Sequence, residues 1–241
     1  MSDHCSVFIN AGAVVLLPMN MPAQDRLDVL NSVLFAQLVA NKKCSELSRA
    51  GEWYGAYREV LKNGWLQKTM KWDHFSLNAP STDNLMGWVQ KRLGASVEPT
   101  RVAQLTRVLK RLAELSGTQP AIELLREQVL HPKEPEPLEA GLETTDIVRL
   151  QVLLGQPGPV LSSAYLEFEA RHVTANPLGL LFSTDHALGN IQLRCFQADL
   201  SQALYAPFRD AIVKKLGDKA ARHIVDISDA VAHEQPEGRT L

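Results

Sequence analysis

VLSSAYLEFEARHV (160–173), NIQLRCFQA (190–198) and SQALYAPFRDAIVKKL (201–216) are three successive segments of unambiguous period, and they decide the fold. In the first, Ala164, Leu166, Phe168 and Ala170 alternate with Tyr165, Glu167, Glu169 and Arg171. A period of two is that of a strand, whose successive side chains leave on opposite faces. One apolar and one charged face indicate an antiparallel sheet with one side in water. The second segment puts Ile191, Leu193 and Cys195 on one face and Gln192 and Arg194 on the other, so the two strands share a buried side. The third carries Leu204, Phe208 and Ile212 at a four-residue spacing, continued by Leu216 and closed by Gly217. This predicts a helix lying across the apolar face of the sheet. Pro207 inside the pattern predicts a short turn over 201–205 before the helix proper, or a kink.

Outward from this stretch, the turn Gly155-Gln156-Pro157-Gly158-Pro159 follows a strand over 147–154, so 147–173 reads as a hairpin. Residues 222–228, with Ile224, Val225 and Ile227, read as a last strand, and those beyond His233 as a loose tail. At the other end, 6–17 is nearly continuous in apolar residues, either one strand or a small hairpin bent at Gly12. Such continuity implies burial on both sides, and the sheet it must join is C-terminal.

Between the two lie helices. Pro22 opens one with Leu27, Leu30, Leu34 and Leu38, and another over 45–61 carries Trp53, Tyr57, Val60 and Leu61. Ser81-Thr82-Asp83 offers a cap for Leu85, Trp88, Val89 and Leu93, Pro99 opens a helix with Val102, Leu105, Leu109 and Leu112, and Pro120 opens the last, through Leu130. In 65–77, Met70 and Trp72 alternate with Lys71 and Asp73 while Phe75 and Leu77 fall out of phase, which predicts only a short strand.

The fold class that follows is α+β: a helical layer from about residue 20 to 131 packed on a mainly antiparallel β-sheet built from the C-terminal part plus the N-terminal strand. The expected organisation is a single interleaved domain over 1–241, with HPKEPEPLEAG (131–141) as a Pro/Glu-rich surface connector. The alternative is a helical domain, 20–131, and a β-rich domain, 142–230, meeting at that connector.

The chain has 241 residues, 45% of them hydrophobic, and a formal charge of −2, so it can fill a core but carries no field for nucleic acid. The basic helix side of Arg101, Arg107, Lys110 and Arg111, diluted by Glu114 and Glu123, reads as solvated surface. The apolar run 7–17 is too short to span a bilayer, is interrupted by Asn10, and has no Lys or Arg ahead of it. No transmembrane segment is expected, with peripheral membrane contact left open; the expected compartment is the cytoplasm, or the exterior after export without a cleavable signal peptide. Cys5, Cys44 and Cys195 are widely spaced, with no C-x-x-C, so neither a disulfide framework nor a thiolate zinc site is expected.

Phosphate-cradling and dinucleotide-binding glycine loops, the G-x-S-x-G elbow and H-E-x-x-H are all lacking, which favours a non-enzymatic protein with no cofactor and no metal. Cys195 is the residue of greatest chemical interest, on the inward side of its strand, with His186 and Asp185 in the loop leading into it. Cys, His and Asp together are the minimum for a thiol nucleophile, whereas a free Cys more often packs as a small hydrophobe. His172 follows the face of Phe168 and Ala170 towards the interior. The candidate ligand or acyl contacts are therefore Cys195, His186, His172 and Phe168. All four tryptophans, Trp53, Trp65, Trp72 and Trp88, fall in one third of the chain and are expected to form the helical core, or else an aromatic-lined pocket.

The function expected is that of a binding or interaction protein, effector-like or accessory, with an apolar pocket between helices and sheet for an unknown protein or apolar ligand. The alternatives are a lipid- or acyl-binding protein using Cys195, and a Cys-dependent hydrolase or transferase.

Overall fold

Most strands run longer than the sequence suggests, but the last, expected over 222–228, is only Ile224–Asp226, with Arg222 and His223 ending one helix and Ser228 opening another. The structure, a computed structural model, describes residues 5–44, 51–76, 84–133, 145–171 and 176–232. The elements, in chain order, are β1 (Cys5–Asn10), β2 (Ala13–Pro18), α1 (Ala23–Lys43), α2 (Glu52–Leu61), β3 (Trp65–Ser76), α3 (Leu85–Leu93), α4 (Pro99–Glu114) and α5 (Pro120–Val129). There follow β4 (Leu130–Pro132), β5 (Thr145–Gln156), β6 (Val160–Arg171), β7 (Ala187–Leu200), α6 (Gln202–Tyr205), α7 (Arg209–Leu216), α8 (Lys219–His223), β8 (Ile224–Asp226) and α9 (Ser228–Ala232). Short 3-10 turns, Pro177–Leu181 and Ala206–Phe208, precede β7 and link α6 to α7.

Helices and a mixed, mostly antiparallel sheet make this an α+β fold. The sheet order is β3-β7-β6-β5-β2-β1-β8, with β4 beside β5. The predicted hairpin is β5–β6, in register from Gln156 opposite Val160 to Thr145 opposite Arg171. The N-terminal run is a hairpin too, β1–β2, and β2 joins the C-terminal strands by pairing parallel to β5, Ala13 opposite Gln151 through Leu16 opposite Leu154. Its turn holds Ala11 at φ 49° and is fastened by Gln37, whose Oε1 accepts from the Gly12 N–H (3.0 Å) and whose Nε2 donates to the Asn10 carbonyl (2.9 Å).

The near-continuous apolarity of β1 and β2 has the predicted cause, since both faces of the sheet are covered. Val7, Ile9, Val14 and Leu16 enter a core with α3, α4, α5 and α9, while Phe8, Val15 and Leu17 enter a second core with α1 and α2. At about 1.5–3 kcal/mol for each Leu, Val or Ile removed from water, these two cores supply the main favourable term. The helices expected to form one layer are thus divided between two faces.

Other expectations change as well. The short strand of 65–77 is the twelve-residue edge strand β3; it has a bulge between Gln67 and Thr69, and its register is unbroken from Thr69 to Ser76, with Phe75 at the parity of Lys71 and Asp73. The tryptophans do not share a core: Trp88 lies in the first, Trp53 and Trp65 in the second, and Trp72 is 58% exposed on β3. His131 and Pro132, assigned to the connector, are paired in β4 against Ile147 and Asp146. Lys133 forms an ion pair with Glu169, while 134–141 of that connector and Ser81-Thr82-Asp83 lie outside the described residues; α3 is capped by Asn84, whose Oδ1 accepts from the Gly87 N–H at 2.9 Å. On the basic side of α4, Arg101 is turned to the Gly155 carbonyl and Arg111 to that of Val231.

Candidate functional site

Of the four residues singled out in the sequence, the three that are described do not meet. Cys195 is 8% exposed, in cross-strand register between Ala164 of β6 and Lys71 of β3, on the face covered by α3. Burial, with a smaller contribution from Asp73, pushes its thiol up to about 12, against the opposing pull of Arg92 and Lys71. Phe168 is buried in the same core but opposite Val148, four residues along β6 from the partner of Cys195, roughly 13 Å at the rise of a strand. His186 is exposed in the turn before β7, where its carbonyl accepts from the Arg171 N–H, seven residues along β6 from the partner of Cys195 and so roughly 23 Å away. His172 lies outside the described residues.

An apolar slot lies elsewhere, under the segment 202–216, and Cys195 is not on its lining. That segment was expected to cross the sheet; in fact it packs alongside α1 as a strap, with Leu204 and Phe208 exposed and Ile212 half-buried. Pro207, in the 3-10 turn Ala206–Phe208, breaks the hydrogen-bond ladder between α6 and α7, so the four-residue stripe does not continue on one straight helix. The strap is fixed at both ends. At one end the Arg209 guanidinium donates twice to Asp28 of α1, Nε to Oδ1 at 2.9 Å and Nη2 to Oδ2 at 2.7 Å. Asp28 is 1% exposed and also accepts from Gln24 Nε2 (2.8 Å) and Gln202 Nε2 (3.4 Å). Burial alone raises the pKa of this carboxyl, but the hydrogen bonds from Arg209, Gln24 and Gln202 outweigh it and hold the group below the ordinary aspartate value. At the other end Leu216 is buried against Leu34 and Ala11.

Tyr205 makes a third attachment. Its ring rests on Gly64, where a Cβ would fall 2.8 Å from Tyr205 Cδ2, so only glycine allows the strap this close to the start of β3. The Ser201 N–H donates to the Gly64 carbonyl at 2.9 Å.

Between these attachments the strap stands off the body and leaves a slot of about 270 Å³. Trp65, Leu61 and Tyr205 form its floor, Phe35 and Val60 one wall, and Phe208, Ala211 and Ile212 of the strap the other. Its polar groups are few. Ser32 Oγ already donates to the Val29 carbonyl and accepts from Trp65 Nε1 (both 3.0 Å), and Asn63 Nδ2 donates to the Val60 carbonyl. Lys215 is the charge on the lining, its ammonium 5.9 Å from the centre of the Phe35 ring.

Sequence reasoning named several of these side chains as core, and of them only Trp65, among the four tryptophans, as an alternative pocket lining. The available signal was Pro207, which says that 201–216 is not one straight helix and so cannot lay its whole stripe on the sheet. Among the described residues no helix is long and apolar enough to cross a membrane, and no three His, Cys, Asp or Glu side chains are grouped to hold a metal ion. Compared with known proteins, the chain matches no protein-family model and no curated protein sequence.

Proposed function

We propose that this protein binds a small amphiphile, an aliphatic chain ending in an acidic head, in the slot beneath the strap. The observation that carries the reading is the lining: aromatic and aliphatic side chains from α1, α2, β3 and the strap converge on an open space in which Ser32, Asn63 and Trp65 have hydrogen-bond partners and the buried Tyr205 hydroxyl has none among the described residues. A volume of about 270 Å³ lies at the lower edge of the range for small-molecule pockets, about 300–1,000 Å³, and suits a short chain better than a protein side. Exposed Phe208 and Leu204 beside the mouth extend the apolar surface along which such a chain would enter. Lys215 at the rim favours an anionic head over a cationic one. Cys195 takes no part in this reading, being on the other face of the sheet with a raised pKa.

Calorimetric titration with sodium octanoate tests it. Ala211 is exposed on α7 and lines the slot, so Ala211→Trp fills the space without disturbing either core. Octanoate is expected to bind the native protein and to lose at least about tenfold in affinity for A211W, roughly 1.4 kcal/mol. Octylammonium is expected to bind more weakly than octanoate. Equal affinity for native protein and A211W, or no binding of octanoate, would remove the proposal.

A further inference from the structure

The sheet ends at β3 with an edge of unusual length. Eleven of its twelve residues, all but Lys68 at the bulge, pair with β7 on one side, and among the described residues nothing pairs with the other. A free edge presents a row of unpaired backbone N–H and C=O groups, which sheets blunt with lysines, prolines or very short strands. Here the strand is long and holds no proline, and Lys68 is folded back into an ion pair with Asp199 of β7. Leu66 (53%), Met70 (46%) and Trp72 (58%) are exposed along it.

The charges along β3 are self-complementary. In an antiparallel pair of two copies related by a two-fold axis through Trp72, residue 71 of one faces residue 73 of the other, and residue 70 faces residue 74. Lys71 then stands opposite Asp73 twice, and the two Trp72 rings meet at the axis. Lys71 and Asp73 lie on the sheet face of Cys195, whereas Trp72 is opposite Arg194 on the other face, where its ring lies 5.3 Å from the Arg194 guanidinium. Asp73 is already positioned by an ion pair with Arg92 of α3, which leaves its carboxylate fixed in place to receive a second cation. Shifting the axis by one residue, the smallest step that keeps opposed side chains on one face, sets Lys71 against Lys71 or Asp73 against Asp73 and loses both charge pairs. Opposite charges directly across a strand pair stabilise it and like charges destabilise it.

We infer that β3 is a homodimer interface, two copies joining edge to edge about Trp72 to make one continuous sheet. Sedimentation of the full chain is expected to show a concentration-dependent monomer–dimer equilibrium. Lys71→Glu, a change at an exposed position that sets a second carboxylate against Asp73 across the axis, is expected to weaken it by at least tenfold. Register is read by disulfide trapping in a Cys5→Ser, Cys44→Ser background. The axis brings residue 72 opposite itself, with a Cα separation of about 4.5–5.5 Å that a disulfide can span. Trp72→Cys is therefore expected to cross-link on mild oxidation, and Met70→Cys, about 14 Å from its own copy, is not. A chain monomeric up to its solubility limit, a dimer unaffected by K71E, or cross-linking through M70C but not W72C would each overturn the inference.

Discussion

Cys195 illustrates how much a strand pattern says about one side chain. Its inward face was legible, because Ile191, Leu193 and Cys195 share a parity, and the structure buries all three in one core. Its distance from His186 was not, because a loop residue beside the start of a strand is near in sequence but is carried away by the strand's own rise. A thiol raised to about 12 is almost entirely protonated at neutral pH and has no thiolate to react. Iodoacetamide applied to the native protein is expected to label half-buried Cys44 and leave Cys195 unmodified, with all three cysteines labelled after denaturation, as read by peptide mass. Rapid native labelling of Cys195 would contradict its placement.

Elements were legible in proportion to the regularity of their period. The β5–β6 hairpin was legible as a hairpin, although β5 extends over Thr145–Gln156 and takes Gly155 and Gln156 from the expected turn into twelve paired positions. β3 was legible only as a short strand, since exposed Met70 and Trp72 share one parity and Phe75 has the other, so its apolar residues do not mark a single face. The strap failed for a different reason: an amphipathic stripe shows that a helix has an apolar side, not what covers it. Its attachment to α1 depends on Asp28, and this gives an element-scale expectation. A carboxyl held below its ordinary pKa contributes stability that is present above the ordinary aspartate value and is lost as the pH falls through the lowered one. Amide hydrogen exchange in 202–216 is therefore expected to be slow at neutral pH and to accelerate in acid ahead of the sheet. Asp28→Asn is expected to accelerate it at neutral pH and to remove the acid dependence. An unchanged strap in D28N would show that Leu216 and Tyr205 suffice to hold it.

On the scale of the whole molecule, the α+β class and the entry of the N-terminal residues into the C-terminal sheet followed from one physical signal, apolar runs too continuous to have a wet face. The division of helices between two faces follows from the same signal carried further, because strands buried on both sides require cover on both sides. The slot was beyond sequence, since it is created by three attachments distant along the chain: Arg209 to Asp28, Tyr205 on Gly64, and Leu216 against Leu34. Each is a packing event between segments whose separate patterns say nothing of the space left between them. Binding of an acidic amphiphile in that space is the central claim, and intermolecular nuclear Overhauser effects from octanoate test it most directly. Contacts are expected from the alkyl protons to the Trp65 indole, the Phe35 ring and the Ile212 methyls, with the head-group end nearest Lys215; contacts only to exposed Trp72 or to the opposite core, or none at all, would contradict it.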